Sequence, residues 1–252
     1  MIFRVGGWIN RILDRWLGIR ISAGPSRRIV GIEDEAWDVI QIAERRSMGS
    51  AVQRYTMWQS VNFVLVNEIP GDIVEFGVWR GGMSMIAAEV VGRRQQQRGI
   101  YLFDTFEGMT APSDHDFELY GGVSASALLS RVRNRPGKMS IWAHASLDDV
   151  RLGMSTTSIS PQNVHYVVGD VFRTVPEQLP KLISVCRIDL DWYDSTLYAL
   201  ESAWPRISDG GVLIFDDYDH WAGAREAVDQ FFSSIGRHVL LLRTEIGRVV
   251  IK

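Results

Sequence analysis

Two acidic clusters carry the first chemical signal in the chain: Arg187-Ile188-Asp189-Leu190-Asp191 and Phe215-Asp216-Asp217-Tyr218-Asp219. Each closes a short hydrophobic run. Carboxylates concentrated at one point repel unless a cation or a proton sits among them. An all-oxygen set with little histidine or cysteine in support suits Mg²⁺, Mn²⁺ or Ca²⁺ and not zinc. Helix caps and surface acids would account for one such cluster, hardly for two at strand ends.

A second signal precedes them. Val74-Glu75-Phe76-Gly77-Val78-Trp79-Arg80-Gly81-Gly82 follows a β-rich run and opens a helix near Ser84. Against the dinucleotide pattern G-x-G-x-x-G, Gly77 and Gly82 fit the outer positions. Trp79 takes the middle one, where a pyrophosphate must approach the backbone, and this argues against a nicotinamide cofactor. A glycine-rich turn leading into a helix N-terminus still presents backbone N–H groups to an anion. The methionine carboxylate of S-adenosylmethionine would serve, with a plain strand-to-helix turn as the bland alternative. Asp104, at the end of Tyr101-Leu102-Phe103, stands where an acid grips ribose hydroxyls, or else caps a helix.

The elements that must position these residues are legible from pattern. Short β-rich runs at 73–78, 100–104, 164–170, 185–191 and 212–217 alternate with helical stretches. That rhythm predicts an α/β fold with a parallel sheet covered on both faces, binding ligands at the carboxyl ends of its strands. Four of the five runs end in aspartate and Glu75 lies within the fifth, so the acids collect at one edge. Residues 239–244 and 248–251 flank Glu245-Ile246-Gly247 and predict a C-terminal antiparallel hairpin. Residues 33–68 read as helical up to the stop Ile69-Pro70-Gly71-Asp72. The expected division is a helical extension, 1–68, and a sheet domain, 69–252. The stretch 107–160, rich in Gly, Ser, Asp and His, predicts loops and short helices over the active edge, where substrate selection belongs.

Bulk properties narrow the class. A net charge of −3 gives no reason to expect a nucleic-acid partner. The lone Cys186 rules out an internal disulfide framework and fits a reducing cytoplasm. No apolar run reaches the length of a membrane span, and arginines break up the N-terminus where a signal peptide would need an apolar core. Residues 1–30 hold six arginines against Asp14 alone. Phe3, Trp8, Ile12, Trp16 and Ile19 recur at helical spacing among them. A basic amphipathic helix can lie on an anionic membrane. Packing on the body or on a second subunit is the expectation preferred here, and it implies a homo-oligomer.

Taken together, the residues resemble a family. Pro70-Gly71-Asp72 with Glu75, Gly77-Val78-Trp79-Arg80-Gly81-Gly82, Asp104-x-Phe106-x-Gly108, Arg187-x-Asp189-x-Asp191-x-Tyr193, Asp216-Asp217-Tyr218 and Arg225-Glu226-Ala227-Val228 are similar to the macrocin (TylF/MycF-type) O-methyltransferases. The resemblance spans roughly residues 59–245. It implies a Rossmann-like class I methyltransferase fold, with a mostly parallel seven-stranded sheet, that methylates sugar hydroxyls on glycosylated natural products, oligosaccharides or polysaccharides. By the same resemblance Glu75, Gly77, Trp79 and Gly81 shape the methionine pocket and Asp104 binds ribose. Asp189, Asp216 and Asp217 ligate Mg²⁺, and Asp191 or a histidine such as His115 or His144 is the general base. Ser146 and Asp170 are the positions it places near adenine. The aspartate pattern also fits catechol-type enzymes acting on phenols, and a non-catalytic binding protein on the same fold is the alternative outside enzymes.

Overall fold

The computed structural model describes residues 28–132 and 141–252. The basic amphipathic segment predicted at 2–21 lies outside the described residues. The first elements are helices α1 (Asp34–Ile42) and α2 (Ala51–Val66). Ser50 starts α2 with a capping box: its side chain accepts from the Gln53 amide, and the Gln53 side chain accepts in return from the Ser50 amide.

Strands and helices then alternate. They are β1 (Asp72–Phe76), α3 (Gly82–Arg93), β2 (Ile100–Asp104), α4 (Ala125–Val132), α5 (Leu147–Met154), β3 (Val164–Val168), α6 (Val171–Thr174), β4 (Ile183–Ile188), α7 (Tyr193–Ala203), β5 (Ile207–Phe215), α8 (Ala222–Ser234), β6 (Leu242–Thr244) and β7 (Gly247–Ile251). The seven strands form one sheet in the order β3-β2-β1-β4-β5-β7-β6. The first five run parallel, and β7 pairs antiparallel with both β5 and β6. The expected parallel sheet and C-terminal hairpin are both present.

Side-chain alternation splits the core into two layers. Ile73 and Val185 face a cluster built from α1, α2, α3 and α5. Val74, Phe76, Cys186 and Ile188 face a second cluster with α7 and α8. Helices α1 and α2 thus share the sheet's own core: Val39, Ile40, Val61 and Val64 are fully buried against it.

Four strands stop short of the sequence-predicted ends, and this shapes the site. The strands β1, β3, β4 and β5 close at Phe76, Val168, Ile188 and Phe215. Gly77, Gly169 and Asp191 take positive φ just beyond three of those ends, so the chain turns there and leaves the ladder. Asp189, Asp191, Asp216 and Asp217 therefore sit in turns at the sheet edge and not on the strands.

Candidate active site

A cavity of about 450 Å³ opens at the carboxyl edge of the sheet. Gly77, Val78, Trp79 and Asp104 form one side of it, and Asp189, Asp191, Asp216 and Asp217 another. Arg46, Ser50 and Gln53 close it from the start of α2. Met109, Glu118, Leu128 and Ile141 wall it from the segment between β2 and α5, with His220, Trp221 and the hairpin turn Glu245-Ile246 opposite.

The innermost contact is electrostatic. Glu75 and Arg187 are register partners on β1 and β4, on the sheet face that Ile73 and Val185 share. Arg187 Nη1 donates to Glu75 Oε1 at 2.7 Å, and the Ser84 hydroxyl donates to the other oxygen. The same guanidinium reaches Asp189 and Asp216, each at 2.8 Å. Burial works against the charge on Arg187, but Asp189, Asp216 and Glu75 outweigh it and hold the group protonated. Burial likewise pushes Glu75 up, and Arg187 pulls it part of the way back.

Outward from this pair, Asp189, Asp191 and Asp217 each offer an oxygen within 4.8 Å of the other two. Burial is the main reason all three carboxyls sit above their ordinary range. For Asp189, Arg187 opposes the shift while Asp216 and Asp217 add to it. Asp217 is raised further by Asp191. Asp191 is pushed up to about 7, with its contact to Asp217 acting in the opposite sense. The Oδ2 of Asp217 is buried without a hydrogen-bond partner. A buried acceptor left open among crowded carboxylates, with only oxygen donors around it, fits a hard divalent cation. Asp189 and Asp216 both contact Arg187, and of the two Asp189 is the one that belongs to the three-carboxylate set. The three-carboxylate set of the structure thus contains Asp191, where the sequence resemblance implies Asp216.

Asp104 fastens the glycine loop. Its Oδ2 accepts from the amides of Val78 at 2.7 Å and Trp79 at 3.0 Å, and its Oδ1 accepts from Phe106 at 2.7 Å. Two amides that the sequence offers to a bound anion are therefore satisfied within the protein. A carboxylate can accept about four hydrogen bonds, so Asp104 keeps some capacity for a ligand hydroxyl. Gly77 has φ +77, and a Cβ there would lie 1.8 Å from the Asp189 carbonyl oxygen. Only glycine allows the loop and the acidic turn to pass so closely. Gly81, with φ +80, precedes the first turn of α3.

The remaining sequence-predicted residues are not brought to this cavity. Ser146 is exposed and caps α5 by accepting from the Asp149 amide. Asp170 caps α6 by accepting from Phe172 at 3.0 Å, and it lines a separate depression with Trp192 and Tyr198. His115 is exposed, pairs with Glu226 at 2.9 Å and stacks on Tyr193. His144 is exposed as well. The histidine that lines the cavity is His220, which follows the second acidic cluster directly. Arg187 was equally open to discovery, as a lone charge inside an otherwise apolar strand.

The sheet order, the C-terminal antiparallel pair and the cavity at the carboxyl edge define a class I methyltransferase fold. The O-methyltransferase NovP has this fold, with a TM-score of 0.71 at 24% identity over 82% of this chain and 81% of that one. The calicheamicin methyltransferase CalS11 has it with a TM-score of 0.59 at 20% identity over 92% and 99%. This chain belongs to the macrocin O-methyltransferase (TylF) family, whose model matches residues 46–238. An 8-demethyl-8-(2,3-dimethoxy-α-L-rhamnosyl)-tetracenomycin-C 4′-O-methyltransferase from Streptomyces olivaceus is 32% identical over 70% of this chain and 63% of its own length. The demethyldecarbamoylnovobiocin O-methyltransferase of Streptomyces niveus is 30% identical over 69% and 62%. The mycinamicin III 3″-O-methyltransferase of Micromonospora griseorubida is 30% identical over 68% and 64%. The matched part of the chain spans less than two thirds of each of these relatives. Among the described residues no helix is long and apolar enough to cross a membrane.

Proposed function

We propose that this chain transfers the methyl group of S-adenosylmethionine to a sugar hydroxyl of a glycosylated small molecule or glycan, with Mg²⁺ held by the acidic cluster. The observation that carries the reading is the convergence of Asp189, Asp191 and Asp217, with the unpartnered Oδ2 of Asp217, in the same cavity as the glycine loop and Asp104. The three relatives named above support it by their activities, two of which specify the position methylated, in one case on a rhamnosylated product.

Asp189 and Asp217 would hold the cation, with Asp216 beside them on Arg187. Once bound, the cation would stabilise negative charge developing on the acceptor oxygen. A sugar hydroxyl is a weak nucleophile at neutral pH, so its proton must leave as the new C–O bond forms and the sulfonium C–S bond breaks. Asp191 accepts that proton in this reading, as the third carboxylate of the cluster, beside the two that would hold the cation. Trp79 and Asp104 would orient the methionine and ribose ends. The apolar wall of Met109, Leu128, Ile141 and Trp221 would exclude water around the acceptor. The protein is further expected to act as a homo-oligomer in the cytoplasm.

The test is mass spectrometry of sugar and phenolic acceptors after incubation with labelled S-adenosylmethionine, with and without chelator. Label on a sugar hydroxyl that vanishes with EDTA and returns with Mg²⁺ is the expected result. Label confined to phenols would reassign the acceptor, and full activity in EDTA would remove the metal.

A further inference from the structure

We infer that Asp116, in the segment between β2 and α4, is a positioning residue: it holds the turn that carries Asp189 and Asp191 and ties the acceptor-side wall of the cavity to the acidic site. The inference rests on the reading of that site as a cation-assisted methyl-transfer centre.

Asp116 is 1% exposed, although it lies in an irregular segment over the active edge. Its Oδ1 accepts from the amide of Tyr193 at 2.8 Å. Tyr193 is the first residue of α7 and stands two positions after Asp191. Its Oδ2 accepts from the amide of Ser113 at 2.7 Å and from the Ser113 hydroxyl at 2.9 Å. The carboxylate therefore spends its oxygens on the protein, and an anionic acceptor at a helix N-terminus also matches the helix dipole. It does not line the cavity and cannot meet the acceptor itself.

Its seat is built into a third element. A Cβ on Gly223, in the first turn of α8, would lie 2.0 Å from Asp116 Oδ1 and 3.1 Å from the Tyr193 nitrogen. The residues after Asp116 continue the attachment. The Leu119 amide donates to the His220 carbonyl at 3.0 Å, and the Ala222 amide to the Phe117 carbonyl at 2.9 Å. The segment is thus fastened to the turn after Asp191 through Asp116, and to the turn after Asp217 through backbone pairs. Glu118 and Leu128, on the cavity wall, follow directly from it.

The acidic turn needs such a hold. Asp191 has φ +60, a left-handed conformation that aspartate tolerates better than most residues but at a cost that neighbouring contacts must offset. On one side the Asp189 amide is fixed to the Phe76 carbonyl at 2.9 Å. On the other side Asp116 holds it through Tyr193, alongside the Trp192 indole, which donates to the Thr110 carbonyl at 3.1 Å. Releasing Asp116 frees the turn to relax and carries the Asp191 carboxylate away from Asp189 and Asp217.

The experiment compares full-length wild type with Asp116→Ala, Asp116→Asn and Gly223→Ala. The readouts are Mn²⁺ affinity by electron paramagnetic resonance, S-adenosylmethionine affinity by calorimetry, and the split between kcat and KM. Asp116→Ala should weaken Mn²⁺ binding and lower kcat by about 10–100-fold, the usual effect of a residue that supports metal ligands, and leave cofactor affinity unchanged. Asp116→Asn should fall between it and wild type, because its amide oxygen can still accept from Tyr193 while its nitrogen faces the Ser113 donors. Gly223→Ala should reproduce the Mn²⁺ defect with Asp116 intact. If Asp116→Ala does not fold, the other two variants carry the same comparison. A wild type that binds no Mn²⁺ overturns the metal reading and this inference with it. A wild type that binds Mn²⁺, with variants that bind it equally well and lose only Tm, overturns this inference alone.

Discussion

Glu75 and Arg187 face each other across β1 and β4 in register, and their 2.7 Å ion pair is buried beside the acidic turns. It explains how a parallel sheet tolerates a carboxylate that is 1% exposed. The arginine also leaves the strand layer to meet Asp189 and Asp216, so a single side chain couples the core to the cavity floor.

Removing one member should therefore be costly. Arg187→Met leaves Glu75 buried without its charge partner, and we expect a loss of about 3–5 kcal/mol. The double variant Glu75→Gln/Arg187→Met should recover much of that loss, since a buried pair replaced together is often near neutral. Urea unfolding of the three proteins checks this. Equal destabilisation of the single and double variants would show that the pair is not the source.

Gly77→Ala places a Cβ 1.8 Å from the Asp189 carbonyl oxygen at a residue with φ +77. Strained backbone and overpacking together should destabilise the fold by about 2–4 kcal/mol. Because the displaced group is the acidic turn, Mg²⁺ affinity should fall in the same variant. Chemical denaturation and calorimetry measure the two effects. Normal Mg²⁺ affinity in a destabilised protein would show that the loop and the turn move independently.

The sequence revealed the sheet and the acidic edge because strand periodicity and strand-end acids are local signals. Its limits are physical. The strands β1, β3, β4 and β5 end early because the chain turns at Gly77, Gly169 and Asp191 or leaves the ladder after Phe215, and a run of β-rich residues does not announce such a turn. Ser146 and Asp170 carry helix-cap chemistry, which in a sequence looks like ligand chemistry. Asp116 depends on a long irregular segment folding back over the edge, a non-local event that no spacing encodes, whereas the position of His220 directly after the second acidic cluster is a local signal. The helices α1 and α2 read as an appendage because their periodicity shows an apolar face without showing that the sheet covers it.

The raised carboxyls give the site a pH signature. Burial holds Asp191 at about 7 and lifts Asp189 and Asp217 well above the ordinary carboxylate range. A carboxylate with a folded pKa above its unfolded value of about 3.9 binds more protons folded than unfolded between the two. Stability then falls as pH rises through that window. The cation-free protein should accordingly lose Tm as pH rises from about 4 to about 7. Mg²⁺ should restore it while releasing protons. Calorimetry in two buffers of different ionisation enthalpy counts the protons. Binding without proton release near neutral pH would mean that the cation sits elsewhere.

Asp191 is the residue on which the chemistry turns, and Asp191→Asn separates its two possible duties. Its oxygen stands within 4.8 Å of those of Asp189 and Asp217, close enough to share a cation. Burial holds its carboxyl at about 7 in the cation-free protein, and once ionised beside a cation it can take a proton from a hydroxyl. Its backbone is left-handed, with φ +60. Asparagine keeps the shape and tolerates that backbone conformation, but it cannot accept the proton. As the general base, the variant should bind Mg²⁺ and S-adenosylmethionine near wild-type affinity and lose about 10²–10⁴-fold in kcat. The pH dependence of kcat should then lose its acidic limb. As a ligand, the same variant should show weaker Mg²⁺ binding, with activity returning at high Mg²⁺ and the limb retained. Near-normal turnover at ordinary Mg²⁺ would discard both duties and shift attention to His220, the histidine that shares the cavity.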